Sequence, residues 1–110
     1  MDFLDLTSEA QLSQILENSY KKAQVIFKHS TRCIISSMAL KRMHQCYEIE
    51  ADCWVLDLLR HRDFSNFLAE NFQVPHQSPQ ILVFHNGNLI SHTSHEGIDG
   101  NFILKSYEKQ

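Results

Sequence analysis

The chain of 110 residues has few of the residues that interrupt regular structure: three glycines and two prolines. It contains no internal repeat, low-complexity stretch or linker-like segment, so one domain over residues 1–110 is expected. No apolar run nears the roughly 20 residues needed to cross a bilayer, which argues against a membrane protein. Basic residues are not in excess. The net charge of -3 speaks against nucleic acid or an anionic membrane as main partner, since both call for basic patches. The stretch Met1-Asp2-Phe3-Leu4-Asp5 lacks the basic start and long apolar run of a signal peptide, so a cytoplasmic location is expected. The three cysteines, Cys33, Cys46 and Cys53, have no disulfide-framework spacing and fit a reducing compartment. Among the seven histidines only His92 and His95 stand three apart. No His-x-x-x-His or Cys-x-x-Cys pair completes a tetrahedral set, and no metal site is expected.

What is present suffices for one core. Hydrophobic residues make up 43% of the chain, including seven phenylalanines, and a chain of this length folds without a metal or disulfide staple. Phe3 to Leu6 reads as a short strand. Ser8-Glu9-Ala10-Gln11 has the form of a capping box, and Leu12, Ile15 and Leu16 follow at helical spacing, predicting a helix from 8 to about 19. Ala23 to Phe27 is a short apolar run with β-branched residues, the mark of a buried strand. Ile35, Met38, Ala39, Met43 and Cys46 keep one face apolar and predict a helix from about 34 to 47. Cys53 to Leu58 is the next strand, and Phe64, Phe67, Leu68 and Phe72 mark a third helix ended by Val74-Pro75. Gln80 to Phe84 and Leu89 to Thr93 flank Asn86-Gly87, a two-residue hairpin signal. Asp99 caps a last helix carrying Phe102, Ile103, Leu104 and Tyr107.

The resulting order, β-α-β-α-β-α-β-β-α, implies an α/β fold: a mixed central sheet with helices on both faces and right-handed parallel crossovers. Chemistry in such open sheets gathers at the carboxyl ends of the parallel strands. Cys33 falls there, at a strand-to-helix junction. A thiolate at that junction faces free backbone N–H groups and the positive end of the helix dipole, and both favour the charged, nucleophilic form. Arg32 adds to this if its side chain turns toward the sulfur. Ser36 takes the place of the second cysteine of a Cys-x-x-Cys pair, so its hydroxyl is a candidate hydrogen-bond donor to the thiolate but cannot form a disulfide. Cys46 lies further along the predicted helix, roughly 20 Å away at about 1.5 Å per residue. That is far beyond the Cα separation of about 7 Å that a disulfide tolerates. Cys46 and Cys53 flank one connection and read as ordinary reduced thiols. Trp54 and the phenylalanines read as core.

Phe27-Lys28-His29-Ser30-Thr31-Arg32-Cys33, followed by Ile35-Ser36-Ser37-Met38-Ala39, is similar to the signature of the YtxJ-like monothiol bacilliredoxins. So is His76-Gln77-Ser78-Pro79-Gln80, with Val83-Phe84-His85-Asn86-Gly87 and Ser94-His95 behind it. The resemblance covers nearly the whole chain. The family usually has Thr-Cys-Pro-Ile-Ser; here Arg32 stands between Thr31 and Cys33, and Ile34 replaces the proline. The resemblance implies a thioredoxin-like fold, with a cis proline at Pro79 facing the thiol and the backbone of Ser78 pairing with substrate. It also implies a cytoplasmic monothiol thiol–disulfide oxidoreductase with no bound cofactor. Cys33 would be its nucleophile, Ser36 would assist, and Thr31, Arg32, Ser78 and Pro79 would contact substrate. The co-substrate would be bacillithiol and the partners S-thiolated client proteins. His29 and His76 flank the two segments and are candidates to tune the thiol, though solvent-facing roles stay equally open. Three other readings remain at this level: glutathione-dependent turnover of the glutaredoxin kind, an iron–sulfur cluster shared between two chains, and an adaptor with an incidental cysteine.

Overall fold

The structure is a computed structural model and describes residues 1–46 and 48–108. In chain order it contains β1 (Asp2–Asp5), α1 (Gln11–Asn18), β2 (Ala23–His29), α2 (Ile34–His44), β3 (Ala51–Asp57) and α3 (Arg62–Phe72). β4 (Gln80–His85), β5 (Asn88–Ser94), a short 3₁₀ turn (His95–Gly97) and α4 (Gly100–Glu108) complete it. The strands form one sheet in the order β1-β3-β2-β4-β5. β1 and β2 run parallel to β3, while β4 runs antiparallel to both β2 and β5. The mixed sheet expected from the sequence is therefore the one found.

Side chains alternate across the sheet, as strand geometry requires. Ile26, Trp54, Leu56, Leu82 and Phe84 pack with Leu12 and Ile15 of α1 and Phe64 and Leu68 of α3. Val25, Phe27, Cys53, Ile81 and Val83 pack on the opposite face with Ala39 and Met43 of α2 and Ile103 of α4. Each fully buried side chain of this kind contributes about 1.5–3 kcal/mol. β2 lies at the centre with every residue buried. Its polar members are Gln24, Lys28 and His29, and the last two stand at the carboxyl end, where the site forms.

The ends of two helices differ from the sequence expectation. α1 starts at Gln11, not at residue 8, because the Gln11 side chain turns back. Its Oε1 accepts the N–H groups of Thr7 (2.7 Å) and Ser8 (3.1 Å). Only the reciprocal half of the capping box forms: the Gln11 N–H bonds to the Ser8 backbone carbonyl and not to its hydroxyl. α2 stops at His44, short of the expected 47. The N–H groups of Gln45 and Cys46 fold back on the carbonyls of Arg42 and Met43, which tightens and ends the last turn. Tyr47 lies outside the described residues. The hairpin is as expected: Asn86 and Gly87 both have positive φ (54° and 80°), and His85 pairs with Asn88. Asp99 caps α4 by accepting the Phe102 N–H at 2.9 Å.

Candidate active site

β2 ends at His29, and the chain turns through Ser30-Thr31-Arg32 before α2 begins. The Cys33 N–H bonds to the Ser30 carbonyl at 3.1 Å, closing that turn, and the Cys33 carbonyl accepts the Ser37 N–H at 3.0 Å. Cys33 is thus the N-cap of α2, with extended backbone (φ -109°, ψ 120°) and a half-buried side chain. Serine, threonine or aspartate usually holds this place and caps with an oxygen. Here the sulfur makes no capping hydrogen bond. It stands beside first-turn N–H groups that have no partner within the helix.

The surroundings of Cys33 are apolar and open. Ile34, Ile35 and Met38 are 76%, 52% and 57% exposed, and Thr31 and Arg32 are exposed beside them. Three large apolar side chains next to the thiol are thus open to solvent.

Ser36 faces the other way. It is fully buried, and its Oγ accepts the Ser30 N–H at 3.0 Å and lies 2.7 Å from His29 Nδ1. The structure therefore brings Ser36 to His29 and Ser30, where the sequence suggested the thiol. No hydrogen bond joins Ser36 to Cys33 among the described residues. With the ring proton on Nε2, the Ser36 hydroxyl donates to Nδ1. With the proton on Nδ1, the ring donates and the hydroxyl hydrogen is free. Burial lowers the His29 pKa, with the Asp57 charge partly opposing, which favours the neutral ring. Ser36 and His29 pin the turn to the first coil of the helix and so fix where Cys33 stands.

The Ser78–Pro79 peptide is cis, Pro79 is buried, and its carbonyl accepts the His95 N–H at 3.1 Å. In the β2–β4 ladder Lys28 is opposite Gln80. One step further, Pro79 falls opposite His29, at the same end of the sheet as the Cys33 turn. A cavity of about 270 Å³ opens at the carboxyl ends of β1, β2 and β3, and His29, Thr31, Asp57, Arg60 and His61 are among its walls. Of the candidates only Thr31 lines this cavity; Arg32 and Cys33 follow it in the same turn, and Ser78 and Pro79 precede β4 at the same end of the sheet.

Two groups at this end went unnoticed in the sequence. Lys28, fully buried on the face opposite α2, points its Nζ at the Ser65 carbonyl (3.3 Å) and His76 Nδ1 (3.4 Å). Gln80, 1% exposed, donates from Nε2 to the Pro75 carbonyl at 3.0 Å. The expected strand ended at Phe27, which left Lys28 in a loop; carrying the period-two alternation two residues further would have buried it.

The remaining thiols are placed differently. Cys53 is fully buried and pairs with Val25, in the middle of the sheet, and burial pushes its thiol pKa far up. Cys46 lies beyond the far end of α2, and its thiol donates to the Arg42 carbonyl at 3.3 Å. All three cysteines are free. Among the described residues no three His, Cys, Asp or Glu side chains lie together as a metal-binding group would, and no helix is long and apolar enough to cross a membrane.

The strand order β1-β3-β2-β4-β5, with a thiol at the head of the helix after the central strand and a cis proline just before β4, is the arrangement of the thioredoxin fold. Solved structures agree. The chain is similar to a protein described as a candidate oxidoreductase with a thioredoxin fold, at 29% identity and a TM-score of 0.85, over 96% of this chain and 93% of that one. It also superposes on the Schistosoma mansoni thioredoxin pre-protein (16% identity, TM-score 0.75, 96% and 99% of the two chains). A third match is the Malassezia sympodialis thioredoxin (14%, 0.72, 99% and 90%). At those identities the last two speak for the fold alone. Residues 4–103 match the family described as monothiol bacilliredoxin BrxC, and the chain belongs to that family of thioredoxin-fold oxidoreductases.

Proposed function

We propose that this protein is a monothiol thiol–disulfide oxidoreductase that removes bacillithiol from mixed disulfides on client proteins, with Cys33 as nucleophile. The observation that carries this reading is the isolation of Cys33. It is half-buried at the N-cap of α2 with an apolar rim, while Ser36 fills the fourth place of the motif and both other thiols lie elsewhere. The choice of bacillithiol as the small thiol is supported by the family's description as bacilliredoxin.

The Cys33 thiolate attacks the bacillithiol sulfur of the mixed disulfide. The sulfur–sulfur bond to the client breaks, the client cysteine leaves as thiolate and takes a proton, and a Cys33–bacillithiol disulfide forms. With no second protein thiol in reach, an external thiol attacks the bacillithiol sulfur next. Cys33 is then released as thiolate. Bacillithiol is thus a co-substrate, and the protein needs no resident cofactor. Ile34, Ile35 and Met38 suit a protein client by burying apolar surface around its cysteine. Thr31 and Arg32 line one side of the approach. Ser78 and Pro79 line the other, where extended client backbone would pair with Ser78 like an added strand.

The test is transfer followed by intact mass. A bacillithiolated client and a glutathionylated client are each mixed with the protein. The reading expects one bacillithiol adduct, on Cys33, absent from the Cys33→Ser variant. No adduct on Cys33 contradicts the reading, and an adduct from the glutathionylated client alone reassigns the small thiol.

A further inference from the structure

Lys28 is a lysine where a methionine would fit. It is fully buried at the end of the central strand, and Leu56 of β3 and Gln80 of β4 are its partners across the ladders. The ion pairs among the described residues both belong to Lys22, so Lys28 has no carboxylate to offset its charge. Burying an uncompensated ammonium opposes folding, and an apolar side chain of the same length would fill the space without that cost. Residues that break such a rule in native proteins mark function more often than packing.

Its contacts show what it touches. Nζ reaches the Ser65 carbonyl of α3 at 3.3 Å and His76 Nδ1 at 3.4 Å, and Ser65 Oγ approaches the same ring nitrogen at 3.4 Å. Beside it, Gln80 Nε2 holds the Pro75 carbonyl at 3.0 Å, while Gln80 Oε1 is buried with no hydrogen-bond partner among the described residues. An unsatisfied buried acceptor is rare enough to need a reason. The 75–79 segment is thus held at Pro75 by Gln80, at His76 by Lys28, and at Pro79 by the His95 N–H. Gln77 and Ser78 hang between these anchors.

We propose that Lys28 is a positioning residue: its buried amine, seated on Ser65, clamps His76 and so holds the loop that presents Ser78 and Pro79 to the substrate. The proposal rests on the reading of Ser78 and Pro79 as substrate contacts. His76 must accept from Lys28, so Nδ1 carries no proton in the clamped form. The ring faces Lys28 from β2 and Ser65 and Arg62 from α3. Burial first, then the charges of Lys28 and Arg62, hold its pKa below the ordinary imidazole value. Protonation at acid pH turns Nδ1–H toward the Lys28 N–H groups, and the clamp opens.

Lys28→Met and His76→Ala test this with three readouts: client exchange by Cys33, alkylation of Cys33 by iodoacetamide, and hydrogen exchange of the His95 amide. Iodoacetamide does not use the loop, whereas the His95 amide reports whether Pro79 is docked. Both variants are expected to keep alkylation within about twofold, to raise the KM for client about tenfold, and to speed exchange of the His95 amide. The melting temperature of Lys28→Met should be unchanged or higher, and the protection of the His95 amide, which wild type should lose at acid pH, should no longer depend on acid pH in His76→Ala. Unchanged His95 exchange in either variant overturns the clamp, as does a parallel loss of alkylation. If Lys28→Met does not fold, His76→Ala decides alone, since that ring is exposed. Wild-type protein that transfers no bacillithiol would defeat the proposed function, while the His95 amide would still judge the clamp.

Discussion

Cys33 and Cys46 stand at the two ends of the same helix, and the surroundings of each differ as much as their positions. At the N-terminal end the backbone offers N–H groups, the sulfur makes no capping bond, and the neighbours are exposed apolar side chains. At the C-terminal end the thiol is a hydrogen-bond donor, spent on the Arg42 carbonyl and packed against Gly100. A cavity of about 290 Å³ lies there, walled by Cys46, Ile49, Asp99 and Gly100. One residue type therefore meets two settings on one helix. The same contrast extends to the neighbours. The Cys33 end of the sheet carries buried polar groups that cost stability, Lys28 and His29. At the Cys46 end the buried polar group, Gln24 at the start of β2, is paired with Asp52 and Trp54.

Three experiments test this contrast, in falling order of effect. Cys33→Ser should reduce client exchange to background, whereas Cys46→Ser should retain it within about twofold. Initial rates of bacillithiol release report both, and equal losses would erase the distinction between the ends. Next, Lys28→Met should raise the unfolding free energy at neutral pH by about 1–3 kcal/mol, since it replaces an unpaired buried charge with an apolar side chain. Burial lowers the Lys28 pKa from 10.5 to about 8. Between those values the unfolded chain holds the proton that the folded chain has lost, so wild-type stability rises with pH. The advantage of the variant should narrow across that window, as denaturant titrations at several pH values would show. Last, Gly100→Ala should cost about 1–2 kcal/mol, because the new Cβ would lie 2.5 Å from Cys46 Sγ. The Cys46→Ala background should relieve part of that, which thermal melts would register. Substitution thus stabilises at the reactive end and destabilises at the packed one.

Local signals account for most of what the sequence revealed. The element order was legible because apolar spacing switches cleanly between periods of two and 3.6, and Asn86-Gly87 and Asp99 act through their nearest neighbours. Cys33 was legible because a strand-to-helix junction is itself a local pattern. What escaped was settled at long range. Ser36 belongs to His29, seven residues earlier, because the turn folds them together. Lys28 meets Ser65 and His76 only through packing of α3 and the loop on the sheet. The start of α1 moved because one side chain, Gln11, takes up the N–H groups of Thr7 and Ser8. Element type follows from period; the partner of a buried polar group does not.

The account stands most directly on the reactivity of the three thiols in the folded protein. Alkylation under native conditions, quenched over time and resolved by peptide mass, measures all three at once. Cys33 should be modified first and to completion, Cys46 slowly, and Cys53 only on unfolding. Modification of Cys46 as fast as Cys33, or protection of Cys33, would contradict it.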